Sequence, residues 1–238
     1  MRDKLHRLVI IVLVLVLVVS GGMVFSQWLE NKRAQDEYNR LAQLASQTSE
    51  EPETTEAQTE AQTEPETEPY KSPIDFEALW AENPDTVGWI TIEGTNINYP
   101  IVKGTDNDFY LNHDFNGEEN IAGSIYLDFE SQGDFDGRNN IIYGHNMKNG
   151  SMFKDVVRYK DEAYFKEHQF FTIYTPEREI RLKSVAAYYG EAKPIVRKTR
   201  FKSQESFDAF VKEMLSPCAY AEPVQYRART LYTLVTCS

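Results

Sequence analysis

The strongest constraint lies at the N-terminus. Leu8 to Phe25 read LVIIVLVLVLVVSGGMVF, 18 residues without a charge, close to the ~20 that a helix needs to cross a bilayer. Residues 9–19 are apolar all round, so a soluble helix built from them would have to be covered on every side, at the extreme end of the chain. Arg2, Lys4 and Arg7 precede the run against one acid, Asp3, and that excess holds the N-terminus in the cytoplasm. Trp28 follows at the far interface, where an amphipathic ring is at home. The competing reading is a cleaved signal peptide, with Leu8–Val19 as its apolar region and Ser20-Gly21-Gly22 as small residues at a cleavage site. Met23-Val24-Phe25 prolong the apolar run and no A-x-A pattern occurs, which favours an uncleaved anchor. The expected division is a cytoplasmic basic segment over 1–7, an anchor over 8–28, and export of the rest.

Residues 30–45 (ENKRAQDEYNRLAQLA) lack Gly and Pro and are rich in helix formers; they are expected to continue as a short solvated helix. Residues 46–69 are rich in Glu, Thr, Gln and Pro with no aromatic or β-branched apolar side chain, so they cannot bury a core. The stem and disordered linker thus occupy 29–69, and one folded domain is expected over 70–238. The whole chain carries a formal net charge of −12, which argues against a nucleic-acid partner, since that needs a basic face. The average conceals a division. Residues 71–136 hold two bases and 14 acids, whereas residues 137–238 hold 17 bases and 11 acids.

The folded part reads as mainly β. Ser72-Pro73-Ile74-Asp75 predicts a helix start with Ser as cap, and Phe76, Leu79 and Trp80 fall at helical spacing before Asn83-Pro84 ends it. Val87–Ile92 and Ile97–Val102 flank the turn Glu93-Gly94-Thr95 as a hairpin. Gly123–Phe129, Asn139–Tyr143, Phe171–Tyr174, Ile180–Tyr189 and Thr230–Thr236 are further strands. Helices are expected around Ser151–Val157, Asp161–His168 and Ser203–Leu215. Short strands with turn signals and scattered helices indicate a β-barrel or sandwich with helical insertions.

Few residues could carry chemistry. Cys218 and Cys237 would both meet an oxidising exterior, so a disulfide and free thiols stand as equal alternatives. A nucleophilic thiol needs a base or a cationic neighbour, because at a pKa near 8.5 only a few per cent is thiolate at neutral pH. Of the histidines, His6 flanks the anchor, His168 sits on a charged helix and is expected to be solvated, and His113 lies in a polar segment. His145 follows the apolar strand Ile141-Ile142-Tyr143-Gly144, where a strand breaks out to the surface. No metal-ligand spacing is present, and no cofactor motif.

Taken together, Tyr143-Gly144-His145-Asn146, Gly150-Ser151-Met152-Phe153 and Thr233-Leu234-Val235-Thr236-Cys237 resemble a sortase. Asn107-Asp108-Phe109-Tyr110-Leu111, Asn112-His113-Asp114-Phe115 and Ala122–Asp128 are similar to class B of that family, as is the helix followed by the Gly-Trp-Ile hairpin. The likeness covers residues 72–238, in the family's motif order. It implies a sortase-type β-barrel with flanking helices, and a membrane-anchored cysteine transpeptidase of a Gram-positive cell surface. Cys237 would attack the Thr carbonyl of a sorting signal of the Asn-Pro-X-Thr-Asn kind, and His145 would protonate the leaving amine and deprotonate the incoming one. Asn107, Leu111, Tyr143, Ile195 and Thr236 would contact the substrate. The implied partners are surface proteins with a C-terminal sorting signal and an amine of peptidoglycan or pilin.

In one respect the sequence departs from the family. The family places an Arg on a final strand beyond the Cys, and no residue here matches it; Arg227 and Arg229 lie on the wrong side of the motif. The expectation is a barrel without its closing strand and little activity from the 238 residues as written. A catalytically inactive anchored peptide-binding domain and a secreted thiol protease are the alternatives.

Overall fold

The structure is a computed structural model that describes residues 2–46, 70–191, 194–218, 220–222 and 227–236. Cys237 lies outside the described residues. Helix α1 (Arg2–Ser46) is continuous through the apolar run and the stem. Its apolar part is long enough to cross a membrane, with a mean hydropathy of 2.9 and no part of that window buried.

The stem corrects the expectation of a solvated helix. Ala34, Tyr38, Leu41 and Ala45 are buried, and their spacing puts them on one face of a helix. That face joins the main core beside Phe76, Leu79 and Tyr99. Arg40 pairs with Glu82 at 2.5 Å and with Glu37 at 2.6 Å, Asn116 donates to Glu37 at 2.8 Å, and the Asp75 N–H donates to the Ala45 carbonyl at 3.0 Å. The charged residues that suggested solvation sit on the other face or bridge to the domain.

Helix α2 (Phe76–Glu82) begins at Asp75, whose side chain accepts from Ala78 N. The cap is therefore Asp75, three residues beyond the expected Ser72; Ser72 accepts from Ile74 N in the approach. Strands β1 (Thr86–Ile92) and β2 (Asn98–Val102) form the expected antiparallel hairpin. A short helix α3 (Phe109–Asn112) follows, then β3 (Ile125–Leu127) and β4 (Asn139–Tyr143). A 3-10 turn at Lys154–Lys160 and helix α4 (Glu162–Glu167) lead to β5 (Phe170–Tyr174) and β6 (Glu179–Lys183). The last of these ends six residues before the expected Tyr189. A 3-10 turn at Pro194–Arg197, helix α5 (Gln204–Leu215) and β7 (Leu231–Val235) complete the described part. Ser203 and Ser206 cap α5 reciprocally, which satisfies two otherwise orphaned N–H donors.

The seven strands make one sheet in the order β6-β5-β1-β2-β3-β4-β7, curled into a half-barrel. Among the described residues the outer strands β6 and β7 are not paired to each other. The β4 strand is buried at four of its five positions, as expected of a strand covered on both sides. It pairs antiparallel with β3 and parallel with β7. Trp89, Ile90, Ile101, Ile125, Ile142 and Phe153 fill the main core, and each side chain so buried contributes roughly 1.5–3 kcal/mol. Asn139, fully buried at the start of β4, ties the flanking pieces down: it donates to the Val196 and Lys198 carbonyls at 3.1 Å and accepts from Thr233 at 2.8 Å.

Candidate active site

The parallel ladder between β4 and β7 runs from Asn139 opposite Leu231 to Tyr143 opposite Val235. The Gly144 N–H continues it by donating to the Val235 carbonyl at 3.1 Å. Gly144 has no room for a side chain, because a Cβ there would stand 2.4 Å from Ile125 Cδ1 and 2.7 Å from Phe153 Cγ. The glycine lets the backbone leave the strand pressed against the core, and His145 comes next.

His145 is half-buried and held at two points. Its Nε2 lies 2.7 Å from the Leu111 carbonyl oxygen, one of the C-terminal carbonyls of α3 that lack a helical partner. Its own carbonyl accepts from Phe153 N at 2.9 Å. A carbonyl oxygen only accepts, so Nε2 must carry the proton of this bond. Nδ1 is left as the ring nitrogen free of that contact. At the end of β7, Thr236 is half-buried, and its hydroxyl oxygen is buried without a partner among the described residues.

Beside these strand ends sits a carboxylate that sequence reasoning had not singled out. Asp128, 2% exposed, accepts from Asn107 Nδ2 at 2.8 Å and from the Tyr143 hydroxyl at 3.0 Å on Oδ2. Its Oδ1 accepts from Glu130 N at 2.9 Å. Arg197 Nε stands 4.0 Å away. The Asn107 amide oxygen accepts from Phe129 N at 3.1 Å, so both ends of that amide are fixed. Burial first, then the charge of Asp128 and the bond to it, push the Tyr143 hydroxyl well above its ordinary pKa, which keeps it a donor. In the sequence Asp128 closes the Ala122–Asp128 motif without an assigned role, and its burial is what sets it apart.

No protein-family model matches the chain. Sortase B of Listeria monocytogenes is 33% identical over 156 residues, which are 65% of this chain and 63% of that protein's length. The structure of Clostridium perfringens sortase B is 35% identical and superimposes with a TM-score of 0.65, over 69% of this chain and 91% of that one. The chain belongs to the class B sortases. A substrate complex of Staphylococcus aureus sortase B superimposes on this class B sortase with a TM-score of 0.72, 27% identity, and coverage of 88% and 90%.

The remaining candidates in this class B sortase have surroundings of their own. Ile195, in the turn that carries Arg197, packs on the face of α5 formed by Phe207, Phe210 and Val211. Cys218 is a free, half-buried thiol whose Sγ contacts the Met214 carbonyl at 3.6 Å, and burial raises its pKa. It is therefore neither in a disulfide nor activated. His113 stacks on Phe109 with ring centroids 4.2 Å apart and contacts the Phe109 carbonyl at 2.8 Å. His168 departs from the expected solvation. Its side chain is 11% exposed, and its Nδ1 lies 3.0 Å from the Glu93 carbonyl over the β1–β2 turn.

Proposed function

We propose that this class B sortase is a membrane-anchored cysteine transpeptidase in which Cys237 is the nucleophile and His145 its acid–base partner. One observation carries the reading: β4 and β7 end side by side at Tyr143 and Val235, and His145 and Cys237 each lie two residues further along the chain. In the first step the Cys237 sulfur attacks the Thr carbonyl of a sorting signal, and the thiol proton passes to His145. The C–N bond breaks, His145 returns the proton to the leaving amine, and a thioester remains. An amine of peptidoglycan or pilin then attacks, giving up its proton to His145, and the thiolate leaves. Splitting acyl transfer in this way keeps the bond energy for a second acceptor. With Nε2 committed to Leu111, Nδ1 is the atom that exchanges these protons.

Asn107, Leu111, Tyr143, Ile195 and Thr236 are the substrate contacts in this reading. Asp128 supports it by fixing Asn107 and Tyr143, so that the groove is organised before the peptide arrives. Residues 8–28 anchor the protein with residues 1–7 in the cytoplasm, and the stem that follows, packed on the catalytic domain through Ala34, Tyr38, Leu41 and Ala45, carries that domain, 70–238, on the extracellular side.

The test is turnover of an internally quenched Asn-Pro-X-Thr-Asn peptide, with and without an added glycine peptide as amine acceptor, on the full-length protein and on Cys237→Ala. Amine-dependent turnover lost in the variant supports the proposal. Peptide binding without turnover points to an anchored binding module, and turnover indifferent to amine points to a thiol protease; either result overturns the transpeptidase.

A further inference from the structure

We infer that Tyr38, on the helix that continues from the membrane-spanning segment, is a positioning residue for His145. The inference rests on the reading of His145 as the acid–base group, and it is carried by two contact routes that begin at one side chain.

The first route leads to the imidazole ring. Tyr38 is 4% exposed, and its hydroxyl donates to the Gly123 carbonyl at 2.7 Å. Gly123 has φ +54°, and a Cβ there would stand 2.5 Å from the Leu111 carbonyl oxygen and 2.8 Å from that of Tyr110. The next residue, Ser124, donates its N–H to the Tyr110 carbonyl at 2.9 Å. The segment gripped by Tyr38 therefore lies directly against the carbonyl that receives His145 Nε2.

The second route leads to the histidine's main chain. The Tyr38 ring meets Tyr99 edge-on, with centroids 5.2 Å apart. Tyr99, itself 3% exposed, accepts from Met152 N at 3.0 Å. Met152 bridges Asn146, and the adjacent Phe153 N donates to the His145 carbonyl at 2.9 Å. One phenol thus braces both supports of the histidine, the carbonyl that orients the ring and the Met152–Phe153 segment that fixes its backbone. A displacement of ~1 Å in such a support can cost about 10²-fold in rate. Docking of the anchor helix and alignment of His145 are consequently coupled.

Tyr38→Phe keeps the ring and its contact with Tyr99 but removes the bond to Gly123. In full-length protein in detergent micelles, assayed with the quenched Asn-Pro-X-Thr-Asn peptide well below the thermal midpoint, kcat should fall about tenfold while KM stays within about twofold, the signature of a misplaced catalytic group. Exchange of the His145 Nε2 proton, followed by NMR without substrate, should quicken in the same variant. Arg40→Gln serves as control: it breaks the exposed pairs with Glu82 and Glu37 on the same helix and should leave both readouts unchanged. If Tyr38→Phe lowers the midpoint yet leaves kcat and the exchange rate as in wild type, Tyr38 is only a packing residue and the inference fails. An equal kcat loss in Arg40→Gln overturns it too, by showing that any loosening of the helix suffices. The proton-exchange arm needs no turnover, so it decides the Tyr38 link even if His145 proves not to be the acid–base group.

Discussion

His145 Nε2 sits 2.7 Å from the Leu111 carbonyl oxygen, across 34 residues of chain. The bond fixes the tautomer: when the ring is neutral, its proton is on Nε2 and the lone pair is on Nδ1. Nitrogen-15 NMR of the neutral imidazole should show that tautomer, and His145→Ala should lower peptide turnover by about 10²–10⁴-fold, the usual contribution of a general acid–base group. A neutral ring protonated on Nδ1 would remove the proposed route of proton transfer.

Gly144 allows the turn from strand to histidine. Gly144→Ala forces a methyl group against Ile125 and Phe153 at distances far inside van der Waals contact, and overpacking of this kind costs about 1–3 kcal/mol. Chemical denaturation should report that loss, together with reduced turnover of the folded fraction. Wild-type stability would mean that the β4 end gives way more easily than its packing implies.

Asp128 is expected to act on substrate affinity. Asp128→Asn leaves one oxygen for three donors: its NH2 faces either Asn107 and Tyr143 in place of Oδ2, or the Glu130 N–H in place of Oδ1. A buried hydrogen-bonding group left without its partner costs about 1–3 kcal/mol, equivalent to a KM raised by roughly tenfold or more if the damage falls on the groove. Steady-state kinetics that show a loss in kcat alone would contradict this assignment.

The stem belongs to the fold, and Leu41 measures how firmly. Leu41 is fully buried in the main core, so Leu41→Ala should destabilise the protein by about 2–5 kcal/mol. A solvated helix would have registered less than about 0.5 kcal/mol. Equilibrium unfolding of the two proteins separates these values.

The two thiols should respond differently to pH. Burial raises the Cys218 pKa, so its thiolate fraction at neutral pH is lower than that of a free thiol and grows only as pH climbs toward the raised value. Alkylation by iodoacetamide at neutral pH should therefore be fast at Cys237 and slow at Cys218, with Cys218 catching up in alkaline solution. Mass spectrometry of the labelled peptides reads the two rates, and fast neutral labelling of Cys218 would refute the ranking.

Strands β1, β2, β4, β5 and β7 were legible to within a residue or two, because alternation and short apolar runs bounded by turn residues are local signals. Helix α5, expected over Ser203–Leu215, spans Gln204–Leu215 and buries Phe207, Phe210 and Val211. The stem was misread although its buried stripe, Ala34, Tyr38, Leu41 and Ala45, has helical spacing. Two of those residues are alanines and one is a tyrosine among many charges, so the stripe was faint against the polar surroundings. Tyr143, His145 and Thr236 stand out in the sequence as motif residues, whereas Asp128 is one acid among the 14 of residues 71–136.

Neighbours along the chain suffice for an uncharged run long enough to span a bilayer, a linker unable to form a core, the periodicity of the strands, and the order of motifs shared with class B sortases. Which of those residues meet follows from the packed fold. Tyr38 reaches Gly123 across 85 residues and His145 reaches Leu111 across 34. Asp128 gathers Asn107 and Tyr143 from either side of it in the chain. No local period encodes such contacts. They follow from the sheet order, which sets β3, β4 and β7 side by side, and from a core that closes only when the helix face of Ala34 to Ala45 is laid upon it.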